Sequence, residues 1–219
     1  MPIFKGRIGA RKKSISPKEH GIWDVAVSKL AEARSSIEAM ENAVSRYCYT
    51  EAWGRFVDSL QEAWVSFDHE GKDSVPKYSA WIAPIYRQRK EDELLQYLYQ
   101  ARHQSQHGKV PLAWTGAHVK IAPNWSGHIA RLDLFKDMSY RFDAQPQDGK
   151  STPTLEYSPG DPLLPAIENR RYRQTFNPPK QHLKRALPSK DPVAAAKLAL
   201  NYYEVLVQRA KNELLQEKT

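Results

Sequence analysis

Cysteine is nearly missing from this chain: 219 residues carry one, Cys48. A lone cysteine excludes an internal disulfide and fits a reducing compartment. Its neighbours are apolar residues of a predicted helix, which makes it a small core residue rather than a nucleophile. Long apolar runs are missing too, and none approaches the roughly 18 residues of a membrane helix. No apolar stretch follows the basic N-terminus, so a secretory signal is not expected and a cytoplasmic protein is. A Gly-rich phosphate loop after a strand, an internal repeat and a low-complexity tract are all missing, which excludes the usual nucleotide-loop and solenoid readings. Acid is missing from two segments. Residues 1 to 18 carry Lys5, Arg7, Arg11, Lys12, Lys13 and Lys18 without an Asp or Glu. Residues 170 to 190 carry Arg170, Arg171, Arg173, Lys180, Lys184, Arg185 and Lys190, again without one. These thirteen cations exceed the net charge of +8, so the rest of the chain is net acidic. Localised basic segments point to a polyanion partner such as RNA or DNA; the plainer alternative is a solvated, solubilising charge run.

What is present reads first as helix. After an aperiodic basic arm over 1–20, Trp23, Val27, Leu30, Ile37, Met40, Val44 and Tyr47 follow helical spacing. Thr50 is the expected N-cap of a second helix with Trp53, Phe56, Val57, Leu60, Trp64 and Phe67 on one stripe, ending near Gly71. A short segment over 79–89, interrupted by Pro84, leads to a helix holding Leu94, Leu95, Leu98 and Ala101. That helix is expected to end near Gly108, a residue suited to the left-handed closing position, with Pro111 forbidding continuation.

From Val110 the pattern changes. Segments 118–121, 128–134 and 138–142 read as short strands, with 155–157 and 167–176 as further ones, separated by turn residues. Asp191-Pro192 then reads as an N-cap followed by proline at the first helical position, opening a last helix with Leu198, Tyr202, Leu206, Ala210 and Leu214 on one side. The expected organisation is mainly α: a basic arm over 1–20, a helical bundle from 21–109 and 190–219, and an antiparallel β-rich insert of three to five strands over 110–189.

The chemistry-bearing stretch is "ARHQSQHG" at 101–108. Arg102 and His107 are five apart, about 140° around a continuous helix, so they converge only if the helix ends between them. Three readings are open. Cationic side chains at a helix C-terminus complement its dipole and need no function. His103 and His107, four apart, form a possible metal pair, although the intervening residues hold no glutamate and no third ligand is marked. Histidine with arginine also suits acid-base chemistry on a phosphodiester, because imidazole titrates near neutrality and guanidinium grips phosphate through a planar fork. Asp68-His69-Glu70 reads as a solvated helix end, and His118, His128 and His182 as strand or loop residues rather than ligands. Arg170 to Arg173 with Phe176 mixes basic and aromatic residues as single-strand binders do, and equally as a charged edge strand does. Trp114 and Trp125 flank the first strand and are expected to fill the insert's core.

The arginine, then histidine, then three variable residues and a histidine resemble the signature of the HEPN superfamily. Arg102, His103 and His107 occupy its fixed positions, and the preceding "LLQYLYQA" and following glycine resemble its context. The resemblance covers residues 22–108 and 191–216 and leaves the β-rich insert and the basic arm outside. It implies an up-and-down helical bundle and a metal-independent, cofactor-free endoribonuclease working as a homodimer, with a role in toxin or phage-defence systems and an antitoxin or regulatory protein as a further partner. His107 would be the general acid or base, Arg102 would hold the scissile phosphate, and His103 would assist. Arg170, Arg171, Arg173, Lys180, Lys184 and Arg185 are the candidate RNA contacts. A non-catalytic nucleotide-, RNA- or protein-binding module of the same family is the alternative. A DNA-binding accessory protein is a third class, without a helix-turn-helix signal to support it.

Overall fold

The computed structural model describes residues 21–107, 110–116, 118–121, 127–134, 140–147, 149, 155–158, 160–169 and 173–215. The basic arm, Gly108, Trp125, Arg170 and Arg171 lie outside them. Five helices are described: α1 (Asp24–Glu41), α2 (Arg46–Ser74), α3 (Tyr78–Glu91), α4 (Glu93–Ser105) and α5 (Pro192–Leu215). Between α4 and α5 the described residues form ten short strands. β1 (Ala113–Trp114) pairs with β6 (Pro162–Leu163), β2 (His118–Ile121) with β5 (Leu155–Ser158), and β3 (Gly127–Leu134) with β4 (Tyr140–Pro146). Then β7 (Ile167–Asn169) pairs with β8 (Gln174–Phe176), and β9 (Gln181–His182) with β10 (Arg185–Ala186). All five ladders are antiparallel and two-stranded. The protein is thus mainly helical with small antiparallel pairs before the last helix, and the strands outnumber the three to five expected.

Helix ends differ from the sequence pattern for identifiable reasons. α1 stops at Glu41 instead of running through Tyr47, and Ser45 rather than Thr50 caps α2, its hydroxyl accepting from Cys48 N at 3.1 Å. Val44 and Tyr47, counted in the first apolar stripe, are therefore in and just after the turn and stand exposed, and so does Cys48, which was expected in the core. Alanine does much of the work on α1: its inward face is Ala26, Leu30, Ala33, Ile37 and Met40, while Val27 faces out. At its start Trp23 sits in the left-handed region (φ 71°). Two bonds fix that conformation: Trp23 N donates to Glu70 Oε2 at 2.5 Å and the indole Nε1 to the Phe67 carbonyl at 3.0 Å.

α2 runs through Gly71 to Ser74. Gly71 is buried, and a Cβ there would overlap the Tyr78 ring, so the glycine serves close helix approach and not termination. Asp68, His69 and Glu70 lie inside α2 and face different ways. Asp68 accepts from Tyr86 and Lys72, His69 pairs with Asp73, and Glu70 holds Trp23. The expected α2 stripe is buried in full, from Trp53 and Phe56 to Trp64 and Phe67. It meets α1, α4 and α5, with Trp23, Tyr78, Tyr97 and Tyr203 completing an aromatic-rich core. Pro84 is accommodated inside α3 because it and Ala80, whose carbonyl loses its intrahelical partner, both lie on the solvent face. Asp191 caps α5 as its sequence indicates, accepting from Val193 N at 3.0 Å and Ala194 N at 3.2 Å.

Candidate functional site

α4 positions the Arg-His motif. Asp92 caps its start, accepting from Leu95 N at 3.0 Å, and Leu94, Leu95, Tyr97, Leu98 and Ala101 fix its buried face. At the other end Gln106 N donates to the Arg102 carbonyl at 3.2 Å and His107 N to the Gln104 carbonyl at 3.0 Å, a tightening of the last turn. Regular helix ends at Ser105, between Arg102 and His107, as their convergence requires.

The side chains divide nevertheless. His103 and His107 are both exposed, with ring centroids 5.8 Å apart, and His103 lies 6.2 Å from the ring of Tyr99. Arg102 turns to α2, where its Nε is 3.6 Å from Asp58 Oδ1. That distance is an ion pair without a hydrogen bond, and both atoms are buried without a hydrogen-bond partner. Burial raises the Asp58 carboxyl above its ordinary pKa; Glu62 adds to the rise and Arg102 opposes it. The histidines meet each other, therefore, and the arginine stands beside a carboxylate that holds it poorly. Among the described residues no group of three His, Cys, Asp or Glu gathers as a metal site.

The β7–β8 hairpin lies along α4. Tyr97 donates to the Pro165 carbonyl at 2.8 Å, Asn169 Nδ2 to Gln100 Oε1 at 2.9 Å, and Gln104 Nε2 to the Glu168 carbonyl at 3.1 Å. Gln100 and Gln104 are four apart and share one face of α4, so the strand pair that carries Arg173 is fastened to the helix that bears the motif. Arg173 is exposed with φ 51°. Beside the hairpin, a cavity of about 420 Å³ is lined by Tyr86, Lys90, Tyr99, Gln100 and Phe176 among others, and Tyr99 continues it toward His103.

No family model, curated protein or solved structure matches this chain.

Lys180, Lys184 and Arg185 do not join Arg173. They belong to the β9–β10 region, whose backbone is held to the opposite end of α4: Lys180 N donates to Glu93 Oε2 at 2.8 Å and Leu183 N to Asp92 Oδ2 at 2.6 Å. Ten residues of helix separate Asp92 from Arg102, about 15 Å at the α-helical rise. The second basic segment is thus divided between two places.

One functional candidate lay outside the sequence reading. His182, taken there for a strand or loop residue, is buried, and its Nδ1 sits 3.0 Å from Asp92 Oδ1. Ninety residues separate the pair, and only the packing of the hairpin against the start of α4 joins them. The nearest sequence signal was Asp92 itself, an N-cap aspartate before an apolar run. Three hydrogen bonds, from His182 and from the Leu183 and Leu95 amides, hold the Asp92 carboxyl below its ordinary pKa although burial alone would raise it.

Proposed function

We propose that this protein binds single-stranded RNA along α4 and the β7–β8 hairpin and cuts it at the exposed histidine pair, in the manner the HEPN-like motif implies. The observation that carries the reading is the β7–β8 hairpin hydrogen-bonded through Glu168 and Asn169 to Gln104 and Gln100 on the helix that bears Arg102 and His103. Stacking rings, a lysine and the motif then lie along one track: Phe176, Lys90, Tyr99 and His103. Bases stack on such aromatics without regard to sequence, and the cations meet the backbone. A 2′-hydroxyl attacking the adjacent phosphorus must lose a proton, the departing 5′-oxygen must gain one, and the pentacoordinate phosphorus carries extra negative charge. His107 and His103 supply an acceptor and a donor, leaving a 2′,3′-cyclic phosphate. Arg102 supplies the charge once it leaves Asp58 for the phosphate. The α4 motif thus acts without a metal, and two protomers facing each other through a two-fold axis would double its groups.

The test is cleavage of a labelled single-stranded RNA by purified protein in EDTA, with identification of the terminal phosphate. His107→Ala is expected to lower the rate by roughly 10² to 10⁴ while the protein keeps its Tm and its RNA affinity. Wild-type cleavage by His107→Ala sinks the assignment. A second reading, binding without cleavage, draws on the Arg102–Asp58 pair, which keeps the arginine away from His107. It predicts that wild-type protein never cuts and that Arg102→Ala weakens RNA binding.

A further inference from the structure

The strongest unassigned feature is at the other end of α4. The turn of the β9–β10 hairpin consists of Leu183 and Lys184, with φ 50° and 64°. Two consecutive left-handed residues are the usual province of Asn-Gly, and a leucine is strained there. The surroundings hold this turn in place. Leu183 N is bound to Asp92 Oδ2, His182 is bound to Asp92 Oδ1, and the His182 ring stands edge-on to Tyr202 at 5.7 Å. An over-determined strained turn with a buried imidazole is the kind of place where function resides.

The hairpin walls a cavity of about 750 Å³ together with α3 and α5. Its apolar wall includes Ile85, Leu198, Val205 and Leu206. Leu198, expected on the inward stripe of α5, is 36% exposed and serves this wall instead. His182 and three cations, Arg185, Lys197 and Arg209, also line the cavity, and no aspartate or glutamate does. Lys197 is balanced by Glu41 and Arg209 by Glu213, both outside the lining. Arg185 is exposed and has no partner among the described residues. The volume is that of a small-molecule pocket, and its charged lining groups are of one sign.

We propose that this cavity binds a small anion with an apolar body, its head held between His182 and Arg185 and its body against Leu198, Val205 and Tyr202. Nδ1 of His182 is committed to Asp92, so Nε2 is the nitrogen that meets the ligand. In the complex the imidazole donates from both nitrogens, to the Asp92 carboxylate and to the bound anion. Arg185 supplies a second, planar contact suited to a carboxylate or a phosphate. The site is independent of the RNA reading, since it uses neither the motif nor the β7–β8 hairpin.

Calorimetric titration tests it with three probes sharing one apolar body: 2-naphthoate, 2-naphthyl phosphate and uncharged 2-naphthalenemethanol. Both anions, or one of them, should bind at least tenfold more tightly than the alcohol, and the ratio of the first two identifies the head group. Arg185→Glu is on the surface and leaves the core intact, so it should abolish that preference without changing Tm. His182→Gln should also weaken the anion; because it breaks a buried pair, its Tm is measured alongside, and Leu198→Glu provides a second probe of the apolar wall. Equal affinity for anion and alcohol, no binding of any probe, or an anion preference that survives Arg185→Glu overturns the proposal. RNA cleavage unaffected by Leu198→Glu supports a site separate from the motif, and cleavage lost with it at unchanged Tm overturns that separation.

Discussion

Asp58 decides how available Arg102 is. The pair is 3.6 Å apart and only partly shielded, and both facing atoms lack hydrogen bonds. A partly exposed ion pair of this kind contributes little to stability. Replacing Asp58 with Asn should release the guanidinium, so RNA affinity in a filter-binding titration should rise several-fold, and a fall would show that Asp58 orients Arg102 for binding. The same substitution carries a pH signature. The Asp58 carboxyl is raised in the folded protein, mainly by burial, so its stabilising contribution is present at low pH and lost as pH rises past the folded value. Asp58→Asn should therefore have its largest Tm advantage over wild type near neutral pH, shrinking in acid; an advantage growing toward low pH would mean the sign is wrong. Gly71 shows how a single residue can mislead a sequence reading. Glycine near the end of an apolar stripe signals termination, yet only the three-dimensional position of Tyr78, seven residues on, reveals why glycine is there. Gly71→Ala should destabilise by about 1 to 3 kcal/mol through overpacking, against a helix-propensity gain of about 1.

The elements were legible where periodicity and end signals agreed. The α2 stripe, the Asp191-Pro192 start of α5 and the strands expected at 118–121 and 128–134 were all visible, because each depends on neighbours within one or two turns of chain. Legibility failed where alanine replaces large residues, as on α1, and where a helix end depends on a turn such as Ala43 to Ser45. The two aspartate caps differ in the same sense. Asp191 satisfies two amides of its own helix, and Asp191→Ala should cost about 1 kcal/mol in chemical denaturation, the ordinary worth of a cap. Asp92 caps α4 and also holds His182 and Leu183, so Asp92→Ala removes a cap and strands a buried imidazole. Its expected cost is about 3 kcal/mol or more. The Asp92 carboxyl is lowered in the folded state, so this contribution is present at neutral pH and lost as pH falls through the folded value. Equal costs for the two substitutions would reduce Asp92 to a cap and weaken the case for a built site at the hairpin.

At the scale of the molecule, α4 is a rod with different chemistry at each end: an exposed histidine pair at one, a buried histidine in a basic-rimmed cavity at the other. The local pattern Arg-His-x-x-x-His could be read from sequence because it lies within six residues; its partner Asp58 and the flanking hairpin could not, because folding alone brings them there. What one chain offers at the motif is an open surface, with Arg102 turned toward its own α2. A phosphodiester in flight between donor and acceptor needs groups on both sides, which is the physical reason to expect a two-fold pair of protomers around one cleavage site. Mixing tests this directly. Wild-type protein and His107→Ala, combined in equal amounts and allowed to exchange subunits, form wild-type, mixed and mutant pairs in about a 1:2:1 ratio if association is unbiased. If each site needs both His107 side chains, only the wild-type pairs cut, and the activity per total protein falls to about one quarter of that of the wild type. If each chain works alone, it falls to about one half. A quarter supports the shared cleft, and a half places the whole reaction within one chain, where Arg102 would have to leave Asp58 and reach the phosphate beside its own His107.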